Sequence, residues 1–214
     1  ARLAPRHLAV LARQTASCAN AARRMFGGAR DADVRRATLA ALRPRLAEAH
    51  DALAAMAGAD PSAADHDGGG AIPLQLASLM RDWSLCDIGD DGDEILDAAI
   101  AAYRRARRRA RAAESGGARD LHRWRSAVVA HEYHANFLSA FAPDMRAQTE
   151  RADRLRQYLG DINDFDMLAQ FVRAQAHSDE QRAAARKLEH AVAGRRAKLV
   201  RKARRLGDET FAQR

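Results

Sequence analysis

The chain has 214 residues, 36 Lys and Arg against 28 Asp and Glu, a formal net charge of +8 and a pI near 10.4. That length can bury a real core in one domain or two small ones, and the charge favours an anionic partner without dictating a fold. No run of about 18 apolar residues exists to cross a membrane, and Cys18 and Cys86, without CxxC spacing, point to neither a zinc site nor a disulfide framework. The lone cysteines fit a reducing, cytoplasmic setting. Abundant Ala, Arg and Leu with few aromatic and β-branched residues favour helix over sheet, so an all-α fold is expected.

In chain order, Leu8, Val10 and Leu11, then Leu39, Leu42, Leu46 and Leu53, recur at three- and four-residue intervals and predict long amphipathic helices. Between them lies "MFGGARDADV", Met25 to Val34. The stretch from Ala57 to Pro73, "AGADPSAADHDGGGAIP", holds most of the loop formers and is expected to be a mobile connection. "LQLASLMRDWSL" follows as a short helix whose Leu, Met and Trp residues are expected in the core.

The next segment is the most polarised. Asp87, Asp90, Asp91, Asp93, Glu94 and Asp97 lead; Arg104, Arg105, Arg107, Arg108, Arg109 and Arg111 follow. An EF-hand fails here, because placing Gly92 sixth in the loop puts Gly89 third and Ala98 twelfth. Acids before bases complement a helix macrodipole, yet six arginines within Arg104 to Arg111 exceed what a dipole needs. At about 100° per residue, Arg104, Arg107, Arg108 and Arg111 share one stripe, with Arg105 and Arg109 on a neighbouring one. Such a ridge of permanently charged guanidinium groups suits bidentate pairing with phosphate oxygens; a solvated charged face is the plainer alternative. A second basic run, Arg195, Arg196, Lys198, Arg201, Lys202, Arg204 and Arg205, contains no acid.

The segment "LHRWRSAVVAHEYHANFLSAF" predicts a helix with Asp120 as its N-cap. His122 and His131, nine residues apart, lie about 180° apart on that helix and cannot share a metal within it. His131 and His134 are closer but lack a third ligand. His122, Arg125, Val129 and Tyr133 share a stripe suited to an anion or a neighbouring carboxylate, the alternative for His122 being a packed, hydrogen-bonded histidine.

"YLGDINDFDML", Tyr158 to Leu168, repeats the earlier phrase: aligned without gaps, Gly27 falls on Gly160, Asp31 on Asp164 and Asp33 on Asp166. This predicts two copies of one helix-turn-helix unit, with Gly27 and Gly160 closing a helix in the left-handed region and the next Asn or Asp capping its successor. Carboxylates two residues apart point about 200° apart on a helix, a poor arrangement for shared chemistry.

"YRRARRRARAA", a Gly-containing turn, "DLHRWR", "YHANFL", "RADRLRQYLGDINDFDMLAQF" and "KARRLGDETFAQ" resemble, in order from Tyr103 to Gln213, the second half of a CHAD domain. "ANAARRMFGGARDADV" resembles the first-half counterpart. The resemblance implies two related long-helix halves with pseudo-twofold symmetry and a basic surface that binds inorganic polyphosphate without catalysis and without a cofactor. It implies one domain, with a first-half copy over 1–57, a loop over 57–73 and a second copy over 93–214, and it leaves the family's first H-x-x-R helix without a counterpart in this sequence. His122 and Arg125 match the H-x-x-R motif, Arg104, Arg107 and Arg108 the preceding basic helix, and Arg154 a basic position before the glycine. Ser126 and Val129 stand where the family usually carries basic residues. Arg111, Arg201, Lys202, Arg204 and Arg205 complete the expected polyanion surface. Polyphosphate granules and a CYTH-type triphosphatase domain are the associations such a module implies. The alternatives are a nucleic-acid or acidic-protein partner, or a metal-dependent phosphohydrolase using the His50-Asp51 or His66-Asp67 pair.

Overall fold

The computed structural model describes residues 5–58, 71–84 and 92–212. Every regular element among them is helical: α1 Pro5–Ala40, two 3₁₀ turns at Arg43–Arg45 and Ala47–Ala49, α2 His50–Gly58, α3 Ala71–Ser84, α4 Gly92–Ala112, α5 Ala118–Ser139, α6 Met145–Gln175 and α7 Asp179–Thr210. The all-α expectation is met. The segment expected to form a loop from Ala57 to Pro73 gives its first two residues to α2 and its last three to α3, and the rest lies outside the described residues. Cys86, Asp87, Asp90, Asp91 and the His66-Asp67 pair lie outside them too.

The chain divides into two compact units. The first holds Ala1–Arg36 with Gly58–Asp91. Its small core sets Leu11 and Cys18, two turns apart on α1, against Leu79 of α3, with Ala21 and Ala22 packed alongside. The expectation that the Leu and Met residues of α3 are core holds only for Leu79. Leu74, Leu76 and Met80 are exposed, at 75%, 48% and 66%. Within this unit α3 buries one narrow stripe on α1, and the remaining apolar positions fall off that stripe.

The second unit, Ala37–Ala57 with Gly92–Arg214, carries the main core. Leu39, Leu42, Leu46 and Leu53 meet Trp124, Leu155, Leu159, Ile162, Leu168 and Leu188 there. α4 packs on α5, α5 on α6 and α6 on α7, and α7 returns to touch α4. The α4–α5 turn relies on Gly116, whose φ of 73° sits in the left-handed region that a Cβ disfavours. α5 begins earlier than expected. Gly117 is its N-cap, and Asp120 lies in the first turn, where a negative charge still complements the dipole.

The helix-turn-helix expectation for the glycine phrases is overturned as well. α1 runs unbroken through Gly27 and Gly28, and α6 runs unbroken through Gly160, so neither phrase ends one helix or caps another. In α6, Ala152, Leu155, Leu159, Ile162, Phe165, Leu168 and Val172 form one buried stripe continuing past the glycine. Burying one such large apolar side chain contributes roughly 1.5–3 kcal/mol, against roughly 0.5–1 kcal/mol lost to a mid-helix glycine. The stripe wins, and the helix continues.

Candidate polyanion-binding site

The second unit presents the basic residues on all four of its long helices. α4 buries Ala99, Ala102 and Ala106, which turns Arg104, Arg108 and Arg111 to solvent and leaves Arg107 half-buried. The four arginines line one surface recess of about 360 Å³. Arg107 and Arg111 also line an adjoining recess of about 340 Å³, joined there by Arg204 of α7 over Trp124, Gly207 and Phe211, with Glu114 and Asp208 on its wall. Arg204 is positioned by donating through Nη2 to the Glu114 carbonyl.

Several other cations of this unit are held by carboxylates. Arg156 pairs with Glu132 at 2.7 Å and also with Asp153. Arg196 pairs with Asp166 at 2.8 Å and donates to the Gly116 carbonyl, and Arg205 sits 3.9 Å from Glu209. No ion pair among the described residues engages Arg104, Arg107, Arg108 or Arg111. Among the described residues, then, these four guanidinium groups stand without the carboxylate partners of a salt-bridged surface.

His122 and Arg125 lie nearly one turn apart on α5, and both meet the "LGDIND" stretch of α6. His122 Nδ1 is 3.3 Å from Asn163 Oδ1. Arg125 passes over Gly160, its Nε 3.7 Å from where a Cβ would stand. That Nε is buried with no hydrogen-bond partner. The repeated phrase thus supplies a seat for the H-x-x-R side chains rather than a turn. Asn163 and Gly160, read from the sequence as a helix cap and a helix end, are instead the positions that meet His122 and Arg125.

Lys202 lies over the Tyr158 ring, 5.8 Å from its centroid. Arg154 and Arg201 are exposed. The recesses unite Arg104, Arg107, Arg108, Arg111 and Arg204, and the α5–α6 contact unites His122 and Arg125. Among the described residues, no hydrogen bond or ion pair joins Arg154, Arg201, Lys202 or Arg205 to either group. Beside the basic run of α7, the Asp161 carboxyl is held above its usual range by loss of solvent and by Asp164, against the pull of Arg195.

The histidine pair of α5 does not converge. His134 Nδ1 donates to the Ala130 carbonyl at 2.7 Å, whereas His131 is buried between the rings of Tyr103 and Phe211, at 5.5 and 5.6 Å. Arg151 donates to Gln148 Oε1, which turns the Gln148 amide nitrogen to Thr210 O and to His131 Nε2, 3.1 Å away. His131 Nε2 therefore accepts and Nδ1 carries the proton. Burial, aided by His134, pushes its pKa down to about 4. Among the described residues no group of three His, Cys, Asp or Glu side chains is placed to hold a metal ion, and no helix is long and apolar enough to cross a membrane.

The CHAD domain family model matches residues 3–173, most of the chain. The protein belongs to the CHAD domain family. The match takes in the N-terminal segment and closes within α6, so α7 with Arg201, Lys202, Arg204 and Arg205 lies beyond it. A search of curated proteins and a search of solved structures returned no match.

Proposed function

We propose that this protein is a non-catalytic binding module for inorganic polyphosphate, and that α4 carries the primary contacts. The observation that carries the reading is the recess lined by Arg104, Arg107, Arg108 and Arg111, none of them neutralised by a carboxylate among the described residues. Membership of a family associated with polyphosphate supports the choice of polyanion. Polyphosphate is a flexible linear polyanion with no base edges to read, so guanidinium groups spaced along a helix can hold it without sequence-like specificity. His122 and Arg125 extend the contact along α5, and Arg204 extends it onto α7.

Counterion release then dominates affinity. With about four phosphate contacts and a slope of about 0.7 per contact, as for single-stranded nucleic acid, affinity falls roughly 50-fold between about 50 and 200 mM salt. Titration with polyphosphate of defined length at those two concentrations checks this, and a flat response overturns it. Arg104→Glu with Arg108→Glu should abolish retention on long-chain polyphosphate and leave the helical circular dichroism unchanged. Retention by the double variant would place the site elsewhere. Competition with single- and double-stranded nucleic acid in the same assay separates polyphosphate from the other phosphate polymers.

A further inference from the structure

We propose that α4 is also a self-association surface, on which two copies of the chain pair antiparallel, and that the polyanion competes with this pairing. The competition rests on the polyphosphate reading above; the pairing does not. On the face of α4 turned away from Ala99, Ala102 and Ala106 stand Asp93, Asp97, Ile100, Arg104, Arg108 and Arg111, all exposed. Their spacings of four, three, four, four and three residues keep them on one stripe. Leu96 and Ile100 lie among them and expose 48% and 36% of their surface.

The acidic end and the basic end of this stripe mirror each other. Asp97 and Arg104 are centred midway between Ile100 and Ala101, and so are Asp93 and Arg108. A twofold axis at that point sets Asp97 against Arg104 of the other copy and Asp93 against its Arg108, and each pair occurs twice. One register satisfies both pairs and brings Ile100 to the axis with Leu96 close by. Isologous pairing of this kind uses one patch on both partners, with apolar residues at its centre and charges towards its rim. Polyphosphate alone gives Asp97, Leu96 and Ile100 no role, whereas a second copy of α4 uses all three. Arg104 and Arg108 also line the four-arginine recess, so the same guanidinium groups cannot serve the other copy and a phosphate chain at once.

Sedimentation velocity of the full chain across a concentration series tests this. At low salt the wild type should dimerise, and high salt or tripolyphosphate, too short to bridge two copies, should dissociate it. Asp97→Arg places like charges opposite each other twice and should weaken dimerisation at least about tenfold. The double swap Asp97→Arg with Arg104→Asp rebuilds the pair with its signs exchanged and should restore the dimer. A wild type that stays monomeric at low salt, an Asp97→Arg variant that dimerises unchanged, or a double swap that fails to recover overturns the pairing. A dimer indifferent to tripolyphosphate, in protein that still binds long-chain polyphosphate, overturns the competition. A dimer in protein that binds no polyphosphate leaves the pairing standing and removes the binding reading instead.

Discussion

Two glycines on neighbouring helices illustrate how a missing side chain does opposite things. Gly160 lies inside α6 with ordinary van der Waals room, the nearest group to an added Cβ being Arg125 Nε at 3.7 Å. Gly207, buried in α7, faces Trp124, whose Cζ2 and Cη2 lie 2.7 and 3.0 Å from that position. Gly160→Ala should therefore raise stability by about 0.5–1 kcal/mol through helix propensity, while Gly207→Ala should lower it by about 1–3 kcal/mol through overpacking against a buried indole. Urea denaturation of both variants measures the contrast. A loss in Gly160→Ala would signal the left-handed helix end that the sequence phrase suggested. That phrase misled because its signal is local: a glycine followed by Asn and Asp reads as punctuation until the apolar positions on either side are seen to form one unbroken core stripe. The seat for Arg125 was illegible for a related reason, since it depends on a helix more than thirty positions away in sequence lying alongside.

At the scale of elements, α4 was the most legible, because the acids of its first turn and the arginines of its last agree with the helix macrodipole. α7 starts at a full capping box, in which Ser178 accepts from the Gln181 amide and Gln181 Oε1 accepts from the Ser178 amide at 3.0 Å. Ser178→Ala should cost about 1 kcal/mol and fray the first turn of α7, seen as a lower urea midpoint and as faster amide exchange at Gln181 and Arg182. An unchanged midpoint would mean the tertiary contacts of α7 already hold that turn. The arginine ridge was legible as a stripe, but its lack of carboxylate partners among the described residues was not, because ion pairs such as Arg196 with Asp166 form across helices. The apolar residues of α3 were read as core for the same reason in reverse: composition says how much apolar surface a helix has, and only packing partners decide how much is covered.

One buried residue should make the stability of the second unit fall in acid. His131 lies where side chains of α4, α5, α6 and the end of α7 meet, and its neutral form is the one that fits. The unfolded chain takes up this proton near pH 6.5 and the folded chain only near about 4, so the contribution is complete above the first value and shrinks as pH falls towards the second. The loss amounts to about 3 kcal/mol once both states are protonated. Urea midpoints between neutral pH and pH 4 should fall more steeply for the wild type than for His131→Leu, and parallel curves would contradict this. The all-helical class was legible from composition and periodicity, whereas this junction was not, since a histidine on a helix looks alike whether it faces water or three aromatic and amide neighbours. Arg196 and Arg204 of α7 grip the carbonyls of Gly116 and Glu114 in the α4–α5 turn. Were a polyphosphate chain to lie across the arginines of α4 as proposed, tension on it would load that hairpin in shear. The two grips would pass that load into α7, so the pull would fall on a cross-braced frame instead of peeling one helix away.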